Sequence, residues 1–493
     1  MSAPKKVSRL LLLVPPALTF KDVRDVSPLP PMGLGYLAAV AEQEGVSVRI
    51  LDCLARGWDT ESPVNKSLVR VGLSDRDIEA AIRDFKPDMV GVNCQFSRQF
   101  RVYHELFSLI KRTDPGCITI AGGAHATVCP DEVLGDPCCD LVLVGEAEES
   151  FRQLLRALAS GSDLSAVDGL GRKADGRSVL NEKKHWAADL DALPFPAYHL
   201  MDLDLYFGIT ATHGLRHRQR FCPIVTSRGC PAKCTFCSAC RVWGKAYRLR
   251  SVENVLGEMR LLKGRYGIEE IMFEDDNVTA NPKRAHELFS AMIRERFGFV
   301  WDTPNGVGIW SLKEEHLDLM KASGCVKLNL PVESGSQRVL RDVIRKPLDL
   351  DKVRRLVAHC RMIGLDYNMF FVIGMPGETL SEMWQSFQFA ASCGVYSPHV
   401  SVATPYPGTE LFDLCQERGY FARPFSLDDM FIRSYLLRTP EWSGAQVRWM
   451  LWSGLLYLQL RGVLADPRSI PAFLRKVLRQ VKRLPFCSRI RLG

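Results

Sequence analysis

Cys230, Cys234 and Cys237 stand in the run Ser227-Arg-Gly-Cys-Pro-Ala-Lys-Cys-Thr-Phe-Cys-Ser238, three thiols at the spacing Cys-x3-Cys-x2-Cys. Thiolates grouped in this way bind soft metals or iron–sulfur clusters. Three of them on a cubic 4Fe–4S cluster leave one iron without a protein ligand, and that iron can bind and activate a small molecule. Zinc would want a fourth ligand at finger-like spacing, and Cys222 and Cys240 lie near enough to keep that reading open. The flanks suit a loop. Ile224-Val225-Thr226 reads as a short buried strand, Arg228-Gly229 breaks it, and Gly229 and Pro231 keep the first cysteine out of a helix.

Further polar motifs end apolar runs downstream: Glu274-Asp275-Asp276-Asn277, Glu333-Ser334-Gly335-Ser336 and Gly374-Met375-Pro376-Gly377-Glu378. Asp275, Asp276 and Glu333 can hold a cation or accept hydrogen bonds, and Asn277 and Ser334 can hydrogen-bond. Gly374 and Gly377 let the backbone approach a flat ring closely. Arg248 and Arg250 can pair with a carboxylate ligand; a solvated basic turn is the equal alternative. The acidic run lacks the nearby histidine pair that a separate metal site would want.

These groups need a scaffold that lines them up. Six strand–helix units can be counted from 222 to 415, with strands expected near 224–226, 268–273, 300–309, 326–332, 366–373 and 399–403. Ser251 and Ser311 are expected to cap helices, and Pro282 suits a first helical turn. Six units make an incomplete barrel, and the motifs fall at the carboxyl ends of its strands, where barrel active sites lie. Residues 9–159 also alternate strands with helices, which predicts a parallel sheet with ligands at its carboxyl ends. Those ends carry Pro15-Pro16, Asp52, Asn93-Cys94, Gly122-Gly123-Ala124-His125 and Gly145-Glu146. The adjacent glycines fit either a close-lying ligand or a tight strand-to-helix turn. The expected layout is α/β: a Rossmann-like domain over residues 1–165, a surface connector over 166–215, a partial (βα)6 barrel over 216–415 and a helical basic extension over 416–493. The connector's His213 and His217, and the four arginines between 216 and 228, are expected to be solvated.

Apolar content of 46% with 24% charged residues fits a soluble globular chain. Sixteen cysteines without a secretory signal point to a reducing, cytoplasmic setting. Residues 461–493 hold nine basic side chains and one acid, a net +8 that equals the formal charge of the entire chain. The body is thus neutral and gives no case for nucleic acid. In the tail, Phe473, Leu474, Val477, Leu478, Val481 and Leu484 recur at helical spacing opposite lysines and arginines. That pattern suits either peripheral contact with the inner face of an anionic membrane or a helix packed on the barrel.

The cysteine loop resembles the cluster loop of radical SAM (radical S-adenosylmethionine) enzymes. Phe273-Glu-Asp-Asp-Asn277, Val332-Glu-Ser-Gly-Ser336 and Gly374-Met-Pro-Gly-Glu378, in this order, resemble the strand-two, strand-four and strand-five SAM motifs of the same family. The resemblance implies a 4Fe–4S cluster on Cys230, Cys234 and Cys237, with SAM chelating the open iron. It also implies SAM contacts from Phe236, Asp275, Asp276, Asn277, Glu333, Ser334 and Gly374. Pro31-Met-Gly-Leu-Gly-Tyr-Leu-Ala-Ala-Val40, Pro87-Asp-Met-Val-Gly-Val-Asn93, Gly122-Gly-Ala-His-Ala-Thr127 and Val144-Gly-Glu-Ala-Glu148 look like the cobalamin-binding domain that precedes the barrel in one large radical SAM class. This implies cobalamin near Asn93, Gly122, Gly123, His125, Gly145 and Glu146. The Asp-x-His-x-x-Gly run, whose histidine ligates cobalt in many such domains, does not occur, so the expectation is cobalamin without a histidine ligand from this domain.

By family analogy the chain methylates an inert carbon or phosphorus centre of a small-molecule or lipid-like substrate. It uses a 5′-deoxyadenosyl radical and a methyl group carried by cobalamin, with an external electron donor such as flavodoxin or ferredoxin. A cyclase or oxidoreductase with the same cofactors is a second reading. A methylthiotransferase acting on tRNA is a third, but it would want three more cysteines gathered in the first domain and a basic β-rich RNA-binding end.

Overall fold

The computed structural model describes residues 6–174, 176–209, 216–431 and 436–470. Two parallel sheets dominate. The first runs in the order Arg177–Leu180, Leu170–Ala174, Leu141–Leu143, Ile118–Gly122, Met89–Asn93, Arg9–Val14, Ser47–Asp52. Its last five members are parallel. Leu10 to Leu13 form the most apolar stretch, and the two-residue period of a strand splits them. Leu10 and Leu12 enter one core, and Leu11 and Leu13 enter the core on the opposite face. A strand buried on both faces in this way accounts for the unbroken leucine run.

The second sheet takes its six strands in chain order: Phe221–Ile224, Glu270–Phe273, Val300–Asp302, Cys325–Glu333, Asp366–Ile373 and His399–Val402. All pairs are parallel, and helices intervene, so the partial barrel expected from the pattern is present. Trp301, fully buried, stacks on Phe289 at 5.0 Å and meets Phe273 edge-on at 5.1 Å. Ser251 caps the helix Val252–Tyr266, its side chain accepting from the Asn254 N–H. Ser311 does not cap: its hydroxyl donates to the Thr279 and Gly308 carbonyls, and the next helix starts at Glu314.

The connector differs from expectation. Leu170–Ala174 and Arg177–Leu180 extend the first sheet as an antiparallel hairpin. Beyond them Tyr198 and Phe207 are buried. The Tyr198 hydroxyl donates to Glu258 at 2.6 Å, and Phe207 packs edge-on against Phe221 at 6.0 Å. Burying these aromatic anchors of the stretch 193–209 joins the two sheets in one continuous core.

The helix Gly444–Ala465 is the last long element of the described residues. Val447, Met450, Gly454 and Leu458 face inward, and Trp449 and Trp452 remain 63% and 62% exposed. No helix among the described residues is long and apolar enough to cross a membrane. The amphipathic pattern at 473–484 lies outside the described residues, as does His213.

The carboxyl ends of the two sheets face one another. Glu146, after the Leu141–Leu143 strand, pairs with Arg228, just after the first barrel strand. At Gly408, in the loop after the last barrel strand, an added Cβ would lie 2.7 Å from Val128 of the first domain. Arg101 pairs with Asp428 across the same seam.

Candidate active site

A two-stranded ribbon, Ser227–Arg228 against Arg248–Leu249, closes the base of the loop that carries all three cysteines. Gly229 starts the loop at φ +82, and an added Cβ would stand 2.8 Å from the Ala246 carbonyl oxygen, so only glycine fits. Cys237 N–H donates to the Cys234 carbonyl at 3.1 Å. Thr235 pins the middle of the loop: its N–H donates to the Ile344 carbonyl, its hydroxyl to the Val343 carbonyl, and its own carbonyl accepts from Leu411 N–H at 2.9 Å. The loop thus hangs from the segment after the fourth barrel strand and from the helix Glu410–Glu417.

Cys230 and Cys234 are half-buried and Cys237 is exposed. Burial raises the Cys230 thiol and pushes Cys234 up to about 12, although Lys346 pulls both down. Cys234 also feels the charges of Cys237 and Cys230. Ionised thiolates there require a strong positive charge, which ligated iron supplies. No group of three or more His, Cys, Asp or Glu side chains among the described residues converges on a single-ion site. Cys222 is fully buried in the first barrel strand, and Cys240 is exposed beyond the triad.

The neighbouring motifs divide into groups already engaged and groups left open. Asp275 is engaged: its carboxylate accepts from Thr226 N–H at 3.1 Å, Thr226 hydroxyl at 2.8 Å and the Ser227 hydroxyl. It ties the second strand to the root of the cluster loop. Asp276 is exposed. Surrounding protein and the Asp275 charge push its carboxyl up to about 6, and the Gly229 N–H acts against them. Asn277 accepts from Gly308 N–H at 2.8 Å, while its amide nitrogen lies 3.8 Å from Cys230 Sγ. Glu333 sits at φ +70, beside an irregularity where the register shifts near Pro331, and pairs with Lys346 at 2.8 Å. Lys86, Arg296 and Arg345 take positive φ where helices end, whereas Glu333 takes it at the end of a strand. Ser334 is buried and accepts from Ser336 N–H. Phe236 is half-buried against the core.

Gly374 turns at φ +80, and Glu378 reaches back to that turn, accepting from Gly374 N–H at 2.8 Å and Met375 N–H at 3.1 Å. Glu378 is completely buried and its other oxygen has no hydrogen-bond partner, so burial pushes its carboxyl up to about 8. Arg248 and Arg250 are neither solvated nor open to a ligand. Arg250 pairs with Glu258 and donates to the Val225 carbonyl; Arg248 donates to Glu146 and to the Ala187 and Trp243 carbonyls. Arg228, expected in solvent, is 4% exposed.

In the first domain, Gly123 has φ +104 and an added Cβ would strike the Cys94 carbonyl oxygen at 2.7 Å. This is the tight-turn reason for a glycine. Gly122 has only the Leu143 carbonyl, 4.0 Å away, near its Cβ position, so its surface is open. Asn93 ends its strand half-buried beside Gly123. His125 is buried, with Nδ1 3.1 Å from the Ser97 hydroxyl and Nε2 3.0 Å from Glu132. Gly145, at φ +70, lies against the Trp186 ring. Glu146 accepts from Arg228, Arg248 and Ala187 N–H. The six thiols at Cys53, Cys94, Cys117, Cys129, Cys138 and Cys139 do not gather: Cys53, Cys94, Cys117 and Cys139 are each buried in the core.

Comparison with known proteins decides the family. The B12 binding domain model matches residues 25–155 and the Radical SAM superfamily model matches residues 224–390. The cytidylyl-2-hydroxyethylphosphonate methyltransferase of Streptomyces wedmorensis is 36% identical, covering 90% of this chain and 88% of its own. The chain belongs to the B12-binding radical SAM methyltransferases. An uncharacterized methyltransferase of Pyrococcus horikoshii is 32% identical, over 83% of each chain. Among solved structures, the radical SAM methyltransferase TsrM of Kitasatospora setae, with cobalamin and a [4Fe–4S] cluster bound, superposes with TM-score 0.66 at 18% identity, covering 84% of this chain and 79% of its own. OxsB, with aqua-cobalamin and SAM bound, superposes with TM-score 0.70 at 15% identity, over 97% and 71%. The fold of this methyltransferase is thus that of the cobalamin-dependent members, and its cofactors are the cluster, SAM and cobalamin. The cyclase and methylthiotransferase readings are not favoured.

Sequence reasoning missed Lys346, Arg228 and Trp186. Lys346 follows its partner Glu333 by thirteen residues, and Arg228 meets acids 80 and 82 residues away. No periodicity links positions so far apart.

Proposed function

We propose that this methyltransferase places a methyl group on a carbon of a small phospho-substrate, with a cytidylyl phosphonate as the first candidate. The opposed carboxyl ends of the two sheets carry the reading, because they bring a radical-generating site and a methyl-carrying site to one seam. When bound, the cluster supplies the electron that cleaves SAM into methionine and a 5′-deoxyadenosyl radical, and cobalamin supplies the transferable methyl group. Cys230, Cys234 and Cys237 hold the cluster. Asp276, Asn277, Glu333, Ser334, Phe236 and the Gly374 turn surround SAM, with Lys346 balancing Glu333 and Asp275 fixing the loop root. Asn93 and the open backbone at Gly122 would hold the cobalamin, with Gly123, His125 and Gly145 beside it.

A cavity of about 540 Å³ lies on the seam, between Thr127, Cys129 and Glu132 of the first domain and Arg241, Phe412 and Phe425 of the barrel side. That volume is in the range of small-molecule sites. An exposed arginine beside aromatic rings suits a phospho group next to a flat base. Likeness to the Streptomyces enzyme over nearly the entire chain supports the cytidylyl phosphonate. A reduced flavodoxin or ferredoxin as electron donor, and a cytoplasmic setting that keeps the cluster thiols reduced, belong to the same reading.

The test is anaerobic turnover of reconstituted protein with trideuteromethyl-SAM and cytidylyl-2-hydroxyethylphosphonate. A product carrying the labelled methyl group is expected. SAM cleavage without labelled product would remove this substrate class.

A further inference from the structure

Four ionised side chains are buried together where the first domain meets the base of the cluster loop. Arg228 donates to Glu146 and, through both terminal nitrogens, to Glu148 at 3.1 and 2.6 Å. Arg248 donates to Glu146 at 2.7 Å. Their side chains are 3% to 9% exposed. Arg228 and Arg248 are register partners in the ribbon, so they are the two feet of the loop that holds Cys230, Cys234 and Cys237. Glu146 grips both feet at once.

The surroundings reinforce the grip. Arg228 lies over the rings of Tyr36 and Trp243, each at 5.2 Å. Trp186 is wedged between Gly145 of the first domain and Gly244 of the cluster loop, and an added Cβ at either glycine would fall 2.9 Å from its ring. Both glycines have positive φ, +70 and +76.

Burying four charges costs desolvation that apolar residues of the same size would avoid, so such a network is weak support for stability as such. Its distinguishing property is direction: a forked guanidinium on carboxylates fixes orientation as well as distance. The alternative role for Glu146, a contact to cobalamin, finds its carboxylate already taken by two arginines and a backbone N–H.

We propose, building on the two-cofactor reading above, that Glu146 and Glu148 are positioning residues. They clamp the feet of the cluster loop to the first domain and so set the cluster's place relative to cobalamin. A radical made on one side of the seam must meet a methyl group held on the other, and small misplacements cost rate steeply.

The test uses the full-length chain as wild type, Glu146→Gln, Glu148→Gln and the double variant. In unloaded protein, hydrogen exchange across residues 229–247 is expected to rise about tenfold in the double variant, with the strands Glu270–Phe273 and Cys325–Glu333 unchanged. In protein loaded with cluster and cob(II)alamin, electron paramagnetic resonance is expected to show spin–spin broadening of the cobalt signal on cluster reduction. In the double variant that broadening should weaken at equal iron and cobalt content. A role limited to stability would lower the melting temperature and leave the broadening as in wild type. Wild-type exchange and wild-type broadening in the double variant would overturn the clamp. Should the glutamine variants not fold, Arg228→Lys keeps the charge and loses the fork, and the same two readouts decide. A wild type that takes up no cobalamin would remove the two-cofactor reading, while the exchange comparison would still judge the clamp.

Discussion

The two sheets end alike in sequence, in glycines and acids, yet they use those residues differently. At the barrel ends, side chains stay available: Cys237 and Asp276 are exposed, and Glu333 is held at positive φ with one lysine partner. At the first domain's ends, side chains turn back into protein. His125 is taken by Ser97 and Glu132, Glu146 by arginines, and Asp52 by the Tyr206 hydroxyl and Ala55 N–H. The open surface there is backbone, at Gly122. The barrel ends thus offer side chains, and the first domain's end offers open space over main chain. The difference matches the ligands: an iron cluster and a small cation need charged donors, whereas a large macrocycle needs shape.

The largest effect should come from breaking the barrel side. Cys234→Ala is expected to lose the cluster's iron and visible absorbance and to abolish SAM cleavage, while cobalamin uptake by the first domain persists. Full iron and SAM cleavage in that variant would refute the ligand assignment. Next is the equivalent insult in the first domain. His125→Ala should destabilise by about 1–3 kcal/mol, because Ser97 and Glu132 lose a buried partner, and should leave the cobalt spectrum unchanged. Chemical denaturation and the cobalamin resonance spectrum check the two halves of that statement.

Acid and base sharpen the contrast with opposite signs. Burial raises Glu378 to about 8, so the folded barrel binds a proton that the unfolded chain releases above about 4.5. Its contribution to stability is full below about pH 4.5 and is lost as pH rises through about 8. Burial also works against ionised Glu132, yet hydrogen bonds from His104 and His125 hold it at about 2. Its contribution is present above about pH 4.5 and is lost as pH falls through about 2. Glu378→Gln should flatten the alkaline limb of a melting-temperature profile and leave the acid limb intact. An unchanged alkaline limb would mean that the carboxyl is ionised in the fold. The smallest effect is expected from Arg241→Ala, which should raise KM for an anionic phospho-substrate more than it lowers kcat.

Most of the architecture could be read from residue patterns. The six barrel strands follow from apolar runs ending in Gly374-type and Glu333-type motifs, and the two-sided burial of Leu10–Leu13 explains its lack of alternation. Local signals such as Ser251 and the glycine after Arg228 placed elements well. Ser311 misled because a hydroxyl near a helix start also has carbonyls to donate to. The connector misled because the burial of Tyr198 and Phe207, which stand in the largely apolar stretch 193–209, depends on a barrel face assembled from distant strands. Within the site, residue types were legible and their engagement was not. Nothing local distinguishes Asp275, whose acceptors are filled by Thr226 and Ser227, from Asp276 beside it. Arg228 read as solvated, and Arg248 as either solvated or free for a carboxylate ligand, because their acidic partners lie 80 to 102 residues earlier in the chain.

One spectrum tests the central claim most directly. Full-length protein, reconstituted with iron, sulfide and cobalamin, is reduced to the cob(II)alamin state and then to the reduced cluster while its paramagnetic resonance is followed. A cobalt signal without protein nitrogen splitting, which broadens when the cluster takes up its electron, is the expected result: cobalamin held by main chain, facing a cluster held by side chains. A nitrogen splitting abolished by His125→Ala, or a cobalt signal indifferent to the cluster's reduction, would contradict it.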